Sequence, residues 1–348
     1  MVRPPATVGE ESAVSTTPAH ESAPPGEVAL GYALSSEEFR PEELVEQARM
    51  AEEAGFAYAL ISDHFHPWID AQGQSPHVWA VLGAIANATT SIRIGTGVTC
   101  PILRQHPAVV AHAAATVACL MPGRFFLGVG TGENLNEHVV GAGWPPPGVR
   151  LDMLEEAIEI CRALWEGDEV VYRGAHFDIE HARLYTTPGE AIPLVVAAGK
   201  PEAAMLAGRA GDGLCTTSPD DELVSVYRES GGVGPTYGQM TVCWNEDEAE
   251  ARRIAHEVWP NAALPGDLSQ ELERPAHFEQ AAKLVREEDV AELVVCGPDP
   301  EPYRRTIAAY AEAGLDHVYI HQVGPDQAGF LRFAERELLG SPAAASAR

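Results

Sequence analysis

Basic residues are scarce in this sequence of 348 residues. Only 23 Lys and Arg stand against 51 Asp and Glu, which gives a formal charge of −28. A surface of that sign repels a phosphate backbone, so nucleic acid is not expected as a partner. The same acidity favours solubility and says little about a substrate.

Closely spaced cysteines are also missing. No two of the six cysteines are closer than 19 residues in the chain, so neither a Cys-x-x-Cys metal site nor a small disulfide scaffold is indicated. The histidines show no metal-ligand spacing, and we predict no metal. Unpaired cysteines are typical of an intracellular protein, which predicts a cytoplasmic location.

Long apolar runs and export signals are absent as well. No run of about 18 apolar residues exists to span a membrane. Residues 1–26 lack an apolar core and a twin-arginine pair, so they do not resemble an export signal. Their Pro, Ser, Thr and Glu content predicts a disordered tail, and residues 341–348 are predicted to be flexible.

Between these tails, short apolar runs alternate with amphipathic stretches. Eight runs rich in β-branched and aromatic residues are typical of parallel strands buried on both faces. They lie at 28–34, 58–63, 93–98, 125–130, 193–198, 213–216, 239–244 and 317–322. Helices are predicted at 41–55, 107–120, 149–165, 201–209, 300–313 and 326–339. This order predicts an α/β fold of the (β/α)8 TIM-barrel type, with a doubly wound sheet as the alternative.

Two segments are longer than the minimal strand–helix repeat. One, at about 166–190, alternates like a hairpin around Arg173; the other, at about 245–297, is acidic and mostly helical in pattern, with a possible short strand at 293–297. We interpret residues 27–340 as a single barrel domain that carries both segments as insertions, which commonly shape a substrate pocket.

Chemically active side chains collect where the predicted strands end. In a barrel, residues just past the carboxyl ends of the strands line the active site. Strand two runs into Asp63, His64 and Trp68, and strand four runs into Glu133 and Asn136. A lone Asp-His pair is more often structural, but a histidine grouped with carboxylates at one rim is typical of proton transfer. His66 and His321 are more often surface or satisfied core histidines, although either could line the pocket.

Several blocks of this sequence resemble one known group of enzymes. The blocks SDHFHPW, GTGV, MPGRFFLGVGTGENLNE, VAAGKPEAAMLAGRAGDGLCT and HVYIHQVGPDQAGFLRF are similar to the F420-dependent glucose-6-phosphate dehydrogenase group of the luciferase-like superfamily. The resemblance covers about 27 to 335. It implies a TIM barrel, a homodimer, and a bound deazaflavin, coenzyme F420.

The resemblance also implies which residues contact the cofactor. They lie at the rim and are mostly small: Asp63, Gly97, Val98, Thr131, Gly132, Glu133, Asn136, Ala197, Ala198 and Gly199. In this superfamily the bond corresponding to Gly97–Val98 is a cis peptide.

The group's catalytic residues correspond to His64, Trp68 and Glu133. By that resemblance His64 is the base that removes a hydroxyl proton while a hydride moves to C5 of the deazaflavin. Glu133 is the acid on the N1 side of the cofactor, and Trp68 stabilises the intermediate or closes the pocket. Asp63 would orient His64 or contact the cofactor.

The substrate positions depart from the group's pattern. Trp68 and Thr216 are expected to contact the substrate, and the positions that bind phosphate in the group fall on Pro219, Gln280 and Glu292. None of these three is cationic, whereas phosphate recognition normally uses Arg or Lys. We therefore predict transfer of a hydride between F420 and a non-phosphorylated alcohol, sugar or hydroxy-lipid, although Arg274, Lys283 or Arg286 could substitute as phosphate ligands.

Three alternatives stay open. The chain could be an F420-dependent glucose-6-phosphate dehydrogenase, an FMN-dependent luciferase-like monooxygenase, or a non-catalytic flavin-binding protein. A non-catalytic protein would need neither His64 nor Glu133, and both are present. Small molecules are the only partners predicted besides a second copy of the chain.

Overall fold

The computed structural model describes residues 28–340, and the tails predicted at 1–26 and 341–348 lie outside this range. Eight parallel strands close into a barrel, since the last of them pairs with the first. The structure confirms the predicted (β/α)8 barrel, and closure excludes the doubly wound sheet. The strands are β1 (Ala29–Leu34), β2 (Tyr58–Ile61), β3 (Arg93–Thr96), β4 (Phe125–Val129), β5 (Val170–Arg173), β6 (Asp178–Ala182), β7 (Leu194–Ala197), β8 (Gly213–Thr216), β9 (Thr236–Cys243), β10 (Val295–Cys296) and β11 (His317–Gln322).

Helices between the strands cover the outside of the barrel. The first shows why: it starts at Pro41, which needs no amide partner at a helix start, and ends against Gly55, whose φ of 99° suits a left-handed cap. The helices are α1 (Pro41–Ala54), α2 (Val78–Ala88), α3 (Pro107–Leu120), α4 (Asn134–Glu137), α5 (Pro147–Trp165), α6 (Pro201–Ala210), α7 (Asp221–Glu229), α8 (Glu248–Val258), α9 (Leu268–Glu271), α10 (Pro275–Ala282), α11 (Glu287–Ala291), α12 (Pro300–Glu312) and α13 (Gln327–Glu337). In the described range, none is long and apolar enough to cross a membrane.

Three strands lie outside the run of eight. β5 and β6 form a separate antiparallel hairpin, and β10 pairs with the outer end of β9. The segment between β9 and β10 contains four short helices, α8 to α11. These elements occupy the two segments that the sequence predicts as insertions.

The inside of the barrel is filled by side chains from alternate residues of each strand. Tyr58, Phe126, Tyr237 and Tyr319 belong to this inner cluster. A Cβ atom at Gly31 would come within 2.4 Å of the Tyr319 ring, so glycine makes room for that ring. Because strand residues alternate between faces, the inward positions of β11 continue from Tyr319 to His321 at the carboxyl end.

Candidate active site

His64 lies between two hydrogen-bond acceptors at the carboxyl rim. Its Nε2 atom is 3.3 Å from Oε1 of Glu37, in the loop after β1. Its Nδ1 atom is 3.2 Å from the carbonyl oxygen of His66. A carboxylate and a carbonyl only accept, so the ring donates to both only when it carries two protons. Glu37 and the carbonyl of His66 thus orient the His64 ring.

Glu37 is a buried carboxylate that its neighbours keep ionised. Its Oε2 atom accepts hydrogen bonds from Oγ of Ser62 at 2.7 Å and from Oγ of Ser35 at 3.1 Å. Burial alone would raise the pKa of Glu37, but His64 and the bond from Ser62 outweigh it, so the pKa lies below its ordinary value. Sequence reasoning missed this residue, although it directly follows β1, where the rim rule applies.

Asp63 has other partners. One carboxylate oxygen accepts from Oγ1 of Thr99 and Nε2 of Gln105, each at 2.8 Å, and the other accepts from Nη2 of Arg104 at 2.9 Å. Glu37, and not Asp63, is therefore the carboxylate that pairs with His64. Asp63 joins the loops after β2 and β3.

Arg104 extends that junction to the loop after β4. Its backbone amide donates to Oε2 of Glu137 at 2.8 Å, and its Nε atom lies 3.4 Å from Oε1. The side chains of Asp63, Arg104 and Glu137 are all nearly inaccessible to solvent. Burial raises the pKa of Glu137 in spite of the contact with Arg104. The buried Arg104 side chain thus connects the loops after β2, β3 and β4.

Trp68 covers His64 from the side of the insertion. The two rings meet edge to face with centroids 5.0 Å apart, and the buried Phe278 of α10 packs on Trp68 at 5.2 Å. Gln72 accepts from the backbone amide of Trp68 at 2.8 Å and donates to the carbonyl oxygen of Val258 at 2.9 Å. The loop after β2 and the insertion after β9 are therefore tied together over the site.

Glu133 and Asn136 join the same rim from β4. The side-chain oxygen of Asn136 accepts from the backbone amides of Phe65 and His66 at 2.8 and 3.1 Å, and its Nδ2 atom donates to Oε2 of Glu133 at 3.2 Å. The structure thus brings the predicted residues of strands two and four together, with Asn136 as the link.

Small residues lie at the rim beside these groups. We call Gly97, Val98, Gly130, Ala197, Ala198 and Gly199 the floor of the site. The Gly97–Val98 peptide bond is cis, as the resemblance implied. A Cβ atom at Gly130 would come within 2.8 Å of Cγ2 of Val98, so the glycine that follows β4 leaves room for the Val98 side chain beside the cis bond. Of the other residues predicted to contact the cofactor, Thr131 and Gly132 follow β4, and Ala197, Ala198 and Gly199 form and follow the end of β7.

The predicted substrate residues are more scattered. Oγ1 of Thr216 is 3.4 Å from the backbone amide of Ser218, and its strand parity turns it away from the barrel interior. Pro219 is exposed in the loop after β8. Gln280 is exposed on α10, two positions from the inward Phe278, and Glu292 is exposed at the end of α11. Their roles as substrate contacts stay predictions. Among residues 28–340, no group of three or more His, Cys, Asp or Glu is placed to hold a metal ion.

A closed (β/α)8 barrel that carries a histidine–carboxylate pair and a row of small residues at its carboxyl rim has the arrangement of a barrel enzyme. Comparison with known proteins identifies the family to which this barrel belongs. The luciferase-like monooxygenase family model matches residues 17–317, and the chain belongs to that family.

Curated relatives and a solved structure show which members of this family the chain resembles. The chain is 38% identical over 329 residues to the F420-dependent glucose-6-phosphate dehydrogenase of Mycolicibacterium gilvum, covering 90% of this chain and 97% of that one. It is also 38% identical to the enzyme of the same name from Rhodococcus erythropolis, with the same coverage. Among solved structures, an F420-dependent secondary alcohol dehydrogenase in complex with an F420-acetone adduct superposes with a TM-score of 0.83 at 32% identity, over 90% of this chain and 98% of that one. The predicted resemblance is confirmed.

Proposed function

We propose that this chain is an F420-dependent oxidoreductase that interconverts an uncharged alcohol or sugar with its carbonyl product, with His64 as the proton-transferring residue. The predictions of an enzyme and of F420 as its cofactor are confirmed by the relatives, which are F420-dependent dehydrogenases. The buried His64–Glu37 pair is the observation that carries the choice of reaction.

The rim residues fit a flat, polar cofactor. Val98 projects into space that Gly130 vacates, and a Cβ atom at Gly199 would meet nothing within 4 Å. Glycine and alanine along this floor let backbone approach a ring closely. Bound F420 would supply the acceptor of a hydride in one direction and its donor in the other.

His64 would accept the hydroxyl proton of the substrate during oxidation and return it during reduction. In the structure both ring nitrogens face acceptors, Glu37 and the carbonyl of His66, so the nitrogen that takes the proton would turn from one of them to the substrate hydroxyl. Glu37 stabilises the charge that forms, and a positioned base of this kind contributes about 10²–10⁴-fold to a rate. Glu133, held by Asn136, is the candidate acid toward the cofactor.

The charges of the insertion favour an uncharged substrate. Arg274 contacts Glu273 and His277, and Arg286 contacts Asp289. These exposed arginines are already engaged, and Lys283, the third candidate, is exposed at the end of α10. Gln280 and Glu292 supply no cation. A phosphate group would need Arg or Lys donors aimed at it. A non-phosphorylated alcohol, the substrate class named for the solved dehydrogenase, fits this lining better than glucose 6-phosphate.

Steady-state kinetics with F420 tests the proposal. Cyclohexanol, glucose and glucose 6-phosphate are compared at equal concentration, and F420 reduction is followed optically; we expect turnover of an uncharged substrate. Efficient turnover of glucose 6-phosphate alone would establish the alternative activity named for the curated relatives. Fluorescence titration of the apoprotein with F420 and with FMN tests the monooxygenase alternative, which requires FMN to bind more tightly.

We also propose a homodimer. Val109 and Leu120 of α3 are more than half exposed, and a second copy that packs on α3 would bury them. Light scattering of the purified chain tests this; a monomer across a concentration series would refute it.

A further inference from the structure

His321 is buried at the carboxyl rim without hydrogen-bond partners. Its side chain is 5% exposed, and among residues 28–340 neither ring nitrogen has a hydrogen-bond partner. Oε2 of Glu38 lies 3.9 Å from its Nε2 atom and also lacks a hydrogen-bond partner in that range. The interpretation of His321 as a satisfied core histidine therefore does not hold.

Three unpartnered polar atoms at one place call for a ligand. Buried polar side-chain atoms are nearly always hydrogen-bonded, because leaving one unpaired forfeits its interaction with water. Oε1 of Glu38, by contrast, accepts from the amide of Gly324 at 2.9 Å, which fixes the carboxyl group. The unpartnered oxygen and the imidazole are thus held in place and face each other.

This pair adjoins the site of proton transfer. Glu38 follows Glu37 in the chain, and Glu37 is close enough to both His64 and His321 for each to lower its pKa after burial has raised it. The edge of Trp259 packs on His321 at 4.5 Å, and Trp259 shares a cluster with Trp68, which covers His64. His321 also points into the barrel, as the alternation along β11 requires. Glu37 and the cluster of Trp259 and Trp68 therefore connect His64 to His321.

We propose that His321 and Glu38 bind a substrate hydroxyl other than the one that reacts at His64. The substrate is then a diol, polyol or sugar and not a simple mono-alcohol. This inference rests on the proposed function and names the substrate class within it.

The chemistry of the pair suits a hydroxyl. Burial raises the pKa of Glu38 to about 8 and lowers the pKa of His321 to about 4, so at neutral pH both groups are uncharged. An uncharged carboxyl and imidazole offer donors and acceptors together, as a hydroxyl does. A single oxygen about 2.8 Å from each atom bridges a gap of 3.9 Å.

Matched substrates test the pair. Cyclohexanol and trans-cyclohexane-1,2-diol share a skeleton and differ by one hydroxyl. We expect the wild type to favour the diol in kcat/KM, and His321→Leu and Glu38→Leu to lower that preference roughly five- to ten-fold, the effect of one hydrogen bond. His321→Gln and Glu38→Gln, which keep a donor and an acceptor, should retain part of it. Arg305→Leu, on the exposed face of α12, is the control and should keep the wild-type ratio.

Two outcomes separate this inference from the proposed function. Turnover of both alcohols with an unchanged ratio in His321→Leu overturns the hydroxyl site and leaves the oxidoreductase intact. Failure to turn over any alcohol or sugar overturns the proposed function. The affinities for the diol and for cyclohexanol are then measured by tryptophan fluorescence, without turnover. If His321→Leu binds the diol as tightly as the wild type does, the hydroxyl site is refuted.

Discussion

The Nε2 atom of His64 lies 3.3 Å from a carboxylate oxygen of Glu37. Two neighbouring strands of the barrel, β1 and β2, bring these residues together although they are far apart in the chain. Glu37, in the loop after β1, thus orients the proposed base His64, in the loop after β2.

Replacement of His64 by Ala should lower kcat by about 10²–10⁴-fold, since the positioned base is lost. The affinity for F420 should stay near that of the wild type, because the floor residues are untouched. Stopped-flow reduction of F420 and fluorescence titration measure the two effects, with Arg305→Ala on the exposed face of α12 as the control. Lost cofactor binding with normal turnover would reverse the assignment.

Gly130→Ala should weaken F420 binding by roughly ten-fold or more. The added Cβ atom comes within 2.8 Å of Cγ2 of Val98 and displaces the Val98 side chain, against which the cofactor is proposed to lie. Gly83→Ala on α2 is the matched control, because nothing lies within 4 Å of its new Cβ atom and helical Gly→Ala is favourable. Equal dissociation constants for both variants would argue against this floor as the cofactor site.

Arg104→Leu should reduce the free energy of unfolding by about 3–5 kcal/mol, because Asp63 and Glu137 would remain buried without their cation. Arg49→Leu is the comparison. Arg49 also sits between two carboxylates, Glu46 and Glu53, but on the exposed face of α1, where such pairs contribute less than about 1 kcal/mol. Urea unfolding measures both; similar losses would show that the rim junction is not held by this charge.

Glu38→Gln should stabilise the protein more at pH 8 than at pH 5.5. The pKa of Glu38 is raised to about 8 by burial, so between its unfolded value near 4.5 and pH 8 the unfolded chain releases a proton that the folded chain retains. Wild-type stability therefore falls as pH rises through this window, and glutamine removes that loss. Thermal unfolding at the two pH values tests it, and a difference in Tm between variant and wild type that does not change with pH would contradict it.

Much of the fold could be predicted because buried parallel strands leave continuous apolar runs in the sequence. β8 and β11 have the predicted bounds, whereas β9 begins three residues before its predicted start, since Gly and Pro around 232–235 suggest a turn that hides Thr236 and Tyr237. The helices α2 and α7 were not predicted; α2 is apolar on most sides, which weakens its periodicity.

The site could be predicted only in part, for a different reason. His64, Trp68 and Asn136 closely follow apolar strands, so the position of each at the carboxyl rim can be predicted from the sequence. Glu37 and Glu38 belong to an acidic run before a helix start, where carboxylates are ordinarily solvated. Their burial arises from closure of β11 against β1, a long-range contact that local sequence does not report.

The hydrogen bonds of Gln72 have a consequence for enzyme engineering. They join the loop that carries Trp68 to residues Val258 and Asn261 of the insertion. Transplanting residues 245–297 from a relative that lacks Asn261 would remove that side-chain acceptor, and a different backbone path at position 258 would shift the cover of His64. The exchangeable module in this barrel is therefore the insertion together with residues 68–72, moved as one piece.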